Sequence, residues 1–288
     1  MKSNWAACIA HLVALGGVIA LFQATGPPTQ LELTRSGIPG PESKSLASGI
    51  FQPKCSINFP RDLKPVGTFD VYPAILAFFG ITAVAHLFYA TDAFGFGWYS
   101  QAIKDGWNPF RWIEYGLSAS IMTMLIGSAD GTRDIITLSM LAIITFALQL
   151  QGLSMEAMLK GAGTYGLNND ALMANTISAW ILFIGIFIVI LYTFATNILD
   201  VSNEYDPQQY PDAKVPTWLW FIGPVQLVFY ALFGLVQLKQ IYDFKQGRAV
   251  PYVKYEQAYI ALSFVSKLAL ASGLAYGLAV RFIGCPKN

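Results

Sequence analysis

One lysine stands where a lysine should not. Lys267 lies in the middle of an apolar run, ALSFVSKLALASGLAYGLAV. It is eleven residues past residue 256, where the last apolar stretch begins, which is about 16 Å at the helical rise. Snorkelling does not easily rescue an ammonium that deep. An intramembrane lysine is costly and marks a functional site by default, with a partner to be named. Its amine can act covalently, as a Schiff base with a carbonyl ligand. The plainer alternative is a lysine kept for packing, neutralised or salt-bridged. A protonated Schiff base needs a buried carboxylate. Most acidic residues fall in loops or at the ends of apolar runs, and Glu114, inside NPFRWIEYGLSASIMTML, is the exception. Glu156, near the end of the fourth run, is a weaker second. Glu114 has its own alternative, a pair with Arg111 three residues earlier on the same helix face.

The two histidines, His11 and His86, also lie inside apolar runs. Either they take and give protons in a polar cavity, or each hydrogen-bonds a neighbouring helix. Without a nearby cysteine or carboxylate motif they make a poor metal site, and no metal is expected. The sixth run carries Trp218, Trp220, Phe221, Phe229, Tyr230 and Phe233. These aromatics either box a long apolar ligand or pack against helices and lipid.

The elements that must carry these residues are membrane helices. Of 288 residues 55% are hydrophobic and 12% charged, against about 25% charged in soluble domains. The mean hydropathy is +0.48. A disordered chain, a nucleic-acid binder and an ordinary soluble enzyme are all disfavoured. The formal net charge of +1 recruits no acidic partner. Apolar stretches cover roughly 5–24, 70–92, 109–128, 134–158, 173–198, 215–239 and 256–283, each near or above the ~20 residues that cross a bilayer. The expected fold is all-α, a single seven-span bundle over 1–288, with a long extracellular loop at 25–69. Strand-like alternation is not expected, and Pro224 predicts a kink in the sixth span. The first stretch reads as a retained helix. Its start is weakly basic, its apolar part (Ala6 to Phe22) exceeds a signal core, and no clear A-x-A site follows.

Basic residues set the orientation. Lys2, Lys104, Arg111, Lys160, Lys239, Lys245, Arg248 and Lys254 flank one side; Arg133, Lys214, Arg281 and Lys287 flank the other, once the long loop is discounted. The expected N-terminus is cytoplasmic and the C-terminus extracellular. Cys8 lies in the first span as packing. Cys55 and Cys285 both fall outside on this topology, where a disulfide can persist; a bridge between them or two free thiols are the choices.

The motifs carry a resemblance. RWIEYGLSAS around Glu114, AHL in span two, GPVQLVFYALFGLVQ in span six and VSK in span seven resemble the heliorhodopsins, across all seven spans. The resemblance implies retinal, all-trans in the dark, as a protonated Schiff base on Lys267 with Glu114 as counterion and Ser266 nearby. On that reading Ser118, Trp220, Phe221, Gln226 and Tyr230 complete the ligand site. His11, His86 and Glu156 form a proton-accepting polar cavity. It also implies a homodimer in the lipid bilayer, an inverted topology, and a photoreceptor rather than an enzyme. Light would move the Schiff base proton relative to Glu114, and the bundle would relax as a two-state switch. A light-gated ion or proton channel is the alternative. An outward proton pump is weaker still, because the inner-donor position, eleven residues after Glu114, is Leu125. One departure stands out: Gly116 occupies a position where the family commonly has Ser.

Overall fold

The computed structural model describes residues 2–26, 30–35, 64–92, 95, 97–204, 219–248 and 250–283. Seven long helices dominate these: α1 (Lys2–Thr25), α2 (Val71–Thr91), α4 (Pro109–Ala129), α5 (Ile135–Tyr165), α6 (Asn169–Glu204), α7 (Leu219–Lys245) and α8 (Val253–Ile283). A short helix, α3 (Trp98–Lys104), links α2 to α4. Six of the long helices have the length and apolarity to cross a membrane, so the chain is an integral multi-pass membrane protein. The long helix outside that group is α4, which carries Arg111 and Glu114 in its first two turns.

The helix starts are written in the sequence. Asp70 Oδ1 accepts the Tyr72 N–H at 3.1 Å, Asn108 Oδ1 accepts the Arg111 N–H at 3.2 Å, and Asp134 Oδ2 accepts the Thr137 N–H at 2.8 Å. Each cap satisfies a donor that the first turn leaves free. Pro109 follows Asn108 at the first helical position, where its fixed φ is pre-organised and its missing N–H costs nothing. Pro224 lies inside α7.

The helices close a ring, α1–α2–α4–α5–α6–α7–α8 and back to α1. Helix α4 also touches α6, α7 and α8, which makes it the central strut. Isoleucines such as Ile181, Ile184 and Ile188 stay exposed on α6, as a lipid-facing surface requires.

The segment between α1 and α2 adds a small hairpin to the helical bundle. It contributes two antiparallel strands, β1 (Gln30–Arg35) and β2 (Lys64–Asp70). They pair Gln30 with Asp70 and Arg35 with Lys64, with an irregularity at Leu33/Thr34. The alternation of Leu31 and Leu33 in QLELTR is the period-two signal of a strand, and it sits outside the apolar runs. Cys55 and Cys285 fall outside the described residues, while Cys8 is a buried free thiol.

Candidate functional site

Lys267 and Glu114 meet at the centre of the bundle. Lys267 is 2% exposed on α8, and its Nζ donates to Ser263 Oγ at 2.6 Å and to Glu114 Oε1 at 3.5 Å. Glu114 Oε1 also accepts from Ser118 Oγ at 3.1 Å and from Thr82 Oγ1. Ser263 stands four residues before Lys267, and Ser118 four after Glu114, so each shares a helix face with the group it serves. Three helices, α2, α4 and α8, therefore place four polar side chains around one amine. Thr82 and Ser263 were not among the expected site residues; their i−4 spacing from His86 and Lys267 was the available signal. Arg111 does not pair with Glu114.

A cavity of about 90 Å³ opens beside the amine. Ser118, Tyr115, Trp180, Tyr230, Ser266 and Lys267 are among its walls. Its depth comes from rings seated on glycines. A Cβ on Gly152 would fall 2.2 Å from the Trp112 ring, and one on Gly234 would fall 3.0 Å from Trp180. Gly116 makes a similar close approach away from the cavity walls: a Cβ there would fall 2.8 Å from Phe146. The departure from Ser at this position thus lets Phe146 of α5 close on α4.

Two expected ligand residues, Trp220 and Phe221, lie elsewhere. They are 48% and 60% exposed on the outer face of α7, and Trp220 meets Phe194 edge-on. The inward face of α7 runs through Ile222, Gln226, Tyr230 and Gln237, all buried. Of these, Tyr230 lines the cavity and donates to the Ala119 carbonyl at 3.1 Å. Gln226 sits behind the wall, where its Nε2 donates to the Ser266 carbonyl at 3.1 Å.

His11 and His86 are both buried, with ring centroids 5.5 Å apart. His11 Nδ1 lies 2.8 Å from the Ala7 carbonyl oxygen, and His86 Nδ1 lies 3.1 Å from Asn4 Oδ1. A ring nitrogen facing a carbonyl oxygen carries the proton. In each neutral ring Nε2 is then the lone-pair nitrogen, and neither Nε2 has a hydrogen-bond partner among the described residues. Two unused proton acceptors sit side by side near Thr82.

Glu156 does not join the histidines. It belongs to a second buried cluster around Arg111, which is 1% exposed. Arg111 donates to Glu156 Oε1 at 2.5 Å and to Glu256 Oε2. Tyr252 OH donates to both Glu156 oxygens at 2.9 and 3.0 Å, and the Asn108 backbone N–H donates to Glu156 Oε2 at 3.1 Å. Asn108 Nδ2 and Tyr99 OH donate to Glu256 Oε1 at 2.9 and 3.3 Å. Burial, and then the Glu256 charge, push the Tyr99 phenol above its ordinary range, so it stays a donor. The reason for the misplacement is helical phase: Glu156 faces the start of α4, a turn below Glu114. Glu256 was missed because it opens α8 and looked like a loop charge.

A buried amine beside a carboxylate, at the wall of an aromatic cavity inside a bundle of membrane helices, is a site that can take an apolar carbonyl ligand. These residues fit retinal: an amine for its aldehyde, an anion for the resulting cation, and rings for its polyene. The heliorhodopsin family model matches residues 4–277, and the chain belongs to the heliorhodopsin family. That membership supports a retinal-binding photoreceptor with a seven-span bundle. A search of curated proteins finds no match.

Proposed function

We propose that the protein is a light-activated sensor in which Lys267 holds all-trans retinal as a protonated Schiff base and Glu114 is its counterion. The observation that carries this is the 3.5 Å contact between Lys267 Nζ and Glu114 Oε1 inside the bundle. Retinal, when bound, supplies absorption of visible light and isomerisation. Everything else falls to the chain. Ser118 and Thr82 hold the Glu114 carboxylate in place by donating to it. Tyr115, Trp180 and Tyr230 confine the ligand and exclude water. Gln226 fixes the backbone at Ser266, one residue from the amine. His11 and His86 offer their two Nε2 lone pairs to a proton leaving the Lys267 region. The Arg111 cluster ties α4 to α5 and α8 and gives the bundle a second polar layer. No substrate is turned over. The N-terminus is cytoplasmic, the β1–β2 hairpin and the C-terminus are extracellular, and the working form is a homodimer in the bilayer.

The test is a visible spectrum of the protein expressed with all-trans retinal. A visible band that Lys267→Ala removes is the expected result. A Lys267→Ala protein that keeps a covalent chromophore overturns the assignment. Glu114→Gln should move the band to the red or lower the Schiff base pKa, and an unchanged spectrum and titration removes Glu114 as counterion. Voltage-clamp under illumination separates the outputs. No photocurrent is expected; passive current would make the protein a channel, and current against the gradient a pump.

A further inference from the structure

A second cavity, of about 140 Å³, lies where α5 and α7 end and α8 begins. Asp105, Lys160, Gln240, Asp243, Arg248 and Tyr255 are among its walls. It has no part in the Lys267 site, and its polar groups state what would fill it. Both carboxylates are already supplied with donors. Asp243 accepts from Lys239, from Arg248 Nη1 at 3.1 Å and from Tyr255 OH at 2.6 Å. Asp105 accepts from Lys160 at 3.5 Å and from Gln101 Nε2 at 2.7 Å. Lys239, outside the cavity walls, shares Asp243 with Arg248, so Arg248 is only partly matched by that carboxylate. The Lys160 and Arg248 side chains are 36% and 50% exposed, so they retain capacity for an anion. The remaining demand is of the opposite kind. Gln240 is 6% exposed, and its Oε1 has no hydrogen-bond partner among the described residues. A buried acceptor left unmade is costly, and this one asks for a hydroxyl or an N–H.

An anion and a hydroxyl a few bonds apart in one molecule satisfy both demands. A glycerophosphate group has that chemistry, with phosphate oxygens for Lys160 and Arg248 and a glycerol hydroxyl for Gln240. The position selects its source. The cavity sits at the ends of spanning helices, the level of lipid headgroups, and basic pockets between such ends take anionic headgroups. Tyr242, 50% exposed and 5.0 Å under the Arg248 guanidinium, is the interfacial aromatic expected at that level. We propose that this cavity binds the headgroup of an anionic glycerophospholipid of the phosphatidylglycerol type, with Lys160 and Arg248 on the phosphate and Gln240 on the glycerol. Tyr252 also lines the cavity, and its hydroxyl is spent on Glu156. The headgroup would therefore rest against the Arg111 cluster.

Native mass spectrometry of the full chain, released from nanodiscs of phosphatidylglycerol mixed with phosphatidylcholine, tests this. The expected result is selective retention of phosphatidylglycerol. Arg248→Gln and Gln240→Leu should each weaken it about tenfold, the loss of one charged or buried hydrogen bond. Lys254→Gln, at the same end but outside the cavity, should leave it unchanged. Each variant is compared at equal melting temperature shift from its empty form, so that misfolding is scored separately. Equal retention of phosphatidylcholine, an unaffected Gln240→Leu, or an equal loss in Lys254→Gln would each overturn the proposal. A titration with sn-glycerol 3-phosphate separates the sources. Saturable binding of the soluble ester, with no lipid retained, would overturn the lipid assignment.

Discussion

Glu256→Ala is expected to cost more stability than any single change in the Lys267 site. The Glu256 carboxylate is 2% exposed and takes three donors, from Arg111, Asn108 and Tyr99. Truncation leaves the guanidinium with one counter-charge and strands two further donors in the protein interior. Removing one partner of a buried ion pair costs about 3–5 kcal/mol. For a chain of this size, roughly 2–4 °C of melting temperature goes with each kcal/mol, so a fall of about 10 °C is expected. Glu256→Gln retains an oxygen for Asn108 and Tyr99 and loses the charge alone. Its cost should be smaller, about 1.5–3 kcal/mol, the value of a hydrogen bond to a charged group. Melting curves followed by intrinsic fluorescence in one detergent give both numbers. A Glu256→Ala protein that melts within 2 °C of the parent (about 1 kcal/mol or less), or a Gln variant worse than the Ala variant, would refute the view that buried donors are what Glu256 serves.

Other changes address the cavity and the packing of α4. Gly116→Ala places a methyl 2.8 Å from Phe146 and should destabilise by about 1–3 kcal/mol, seen as a lower melting temperature; Phe146→Leu in the same chain should recover part of it. Thr82→Val removes a donor to Glu114 without changing shape, and a shift in the absorption band of the retinal-loaded protein is the expected readout. Trp220→Ala and Phe221→Ala should leave that band where it is, whereas Tyr230→Phe should move it; a large shift from Trp220→Ala would put that ring back at the ligand.

Lys267 and Glu114 were legible because a lone charge in an apolar run has few explanations. The apolar runs likewise marked where the long helices lie, since lipid demands apolarity on every exposed face. Helical phase was harder to read. Along α7 the buried positions include Ile222, Gln226, Tyr230, Gln237 and Ile241, spaced by four or seven, while Trp220 and Phe221 come just before them and are exposed. In a helix that is apolar all round, residue type does not say which side faces inward; the polar Gln226 and Gln237 were the better guide. Charges near helix ends misled for a related reason. Arg111, Glu156 and Glu256 sit at the ends of apolar runs, where charges ordinarily face water, and the packing of α4 against α5 and α8 turns them inward. Counted as a loop cation, Arg111 also inflated one side of the orientation tally.

The polarity of α4 has a consequence for how the chain enters the bilayer. This helix carries Arg111 and Glu114, and it is the long helix that lacks the apolarity of a span. A charged side chain within a spanning helix opposes insertion, and α4 holds two in its first two turns, so it is a poor candidate to partition alone. Only the short turn 130–134 separates it from α5, which is long and apolar. The two are best delivered together, as a helical hairpin whose second arm drags the first into lipid. The partners that later neutralise α4 arrive at different times: Glu156 with that hairpin, Glu256 and Lys267 only with the last helix. Until α8 is made, the nascent protein carries an unmatched carboxylate in its centre, and the lysine that completes the site also completes the assembly.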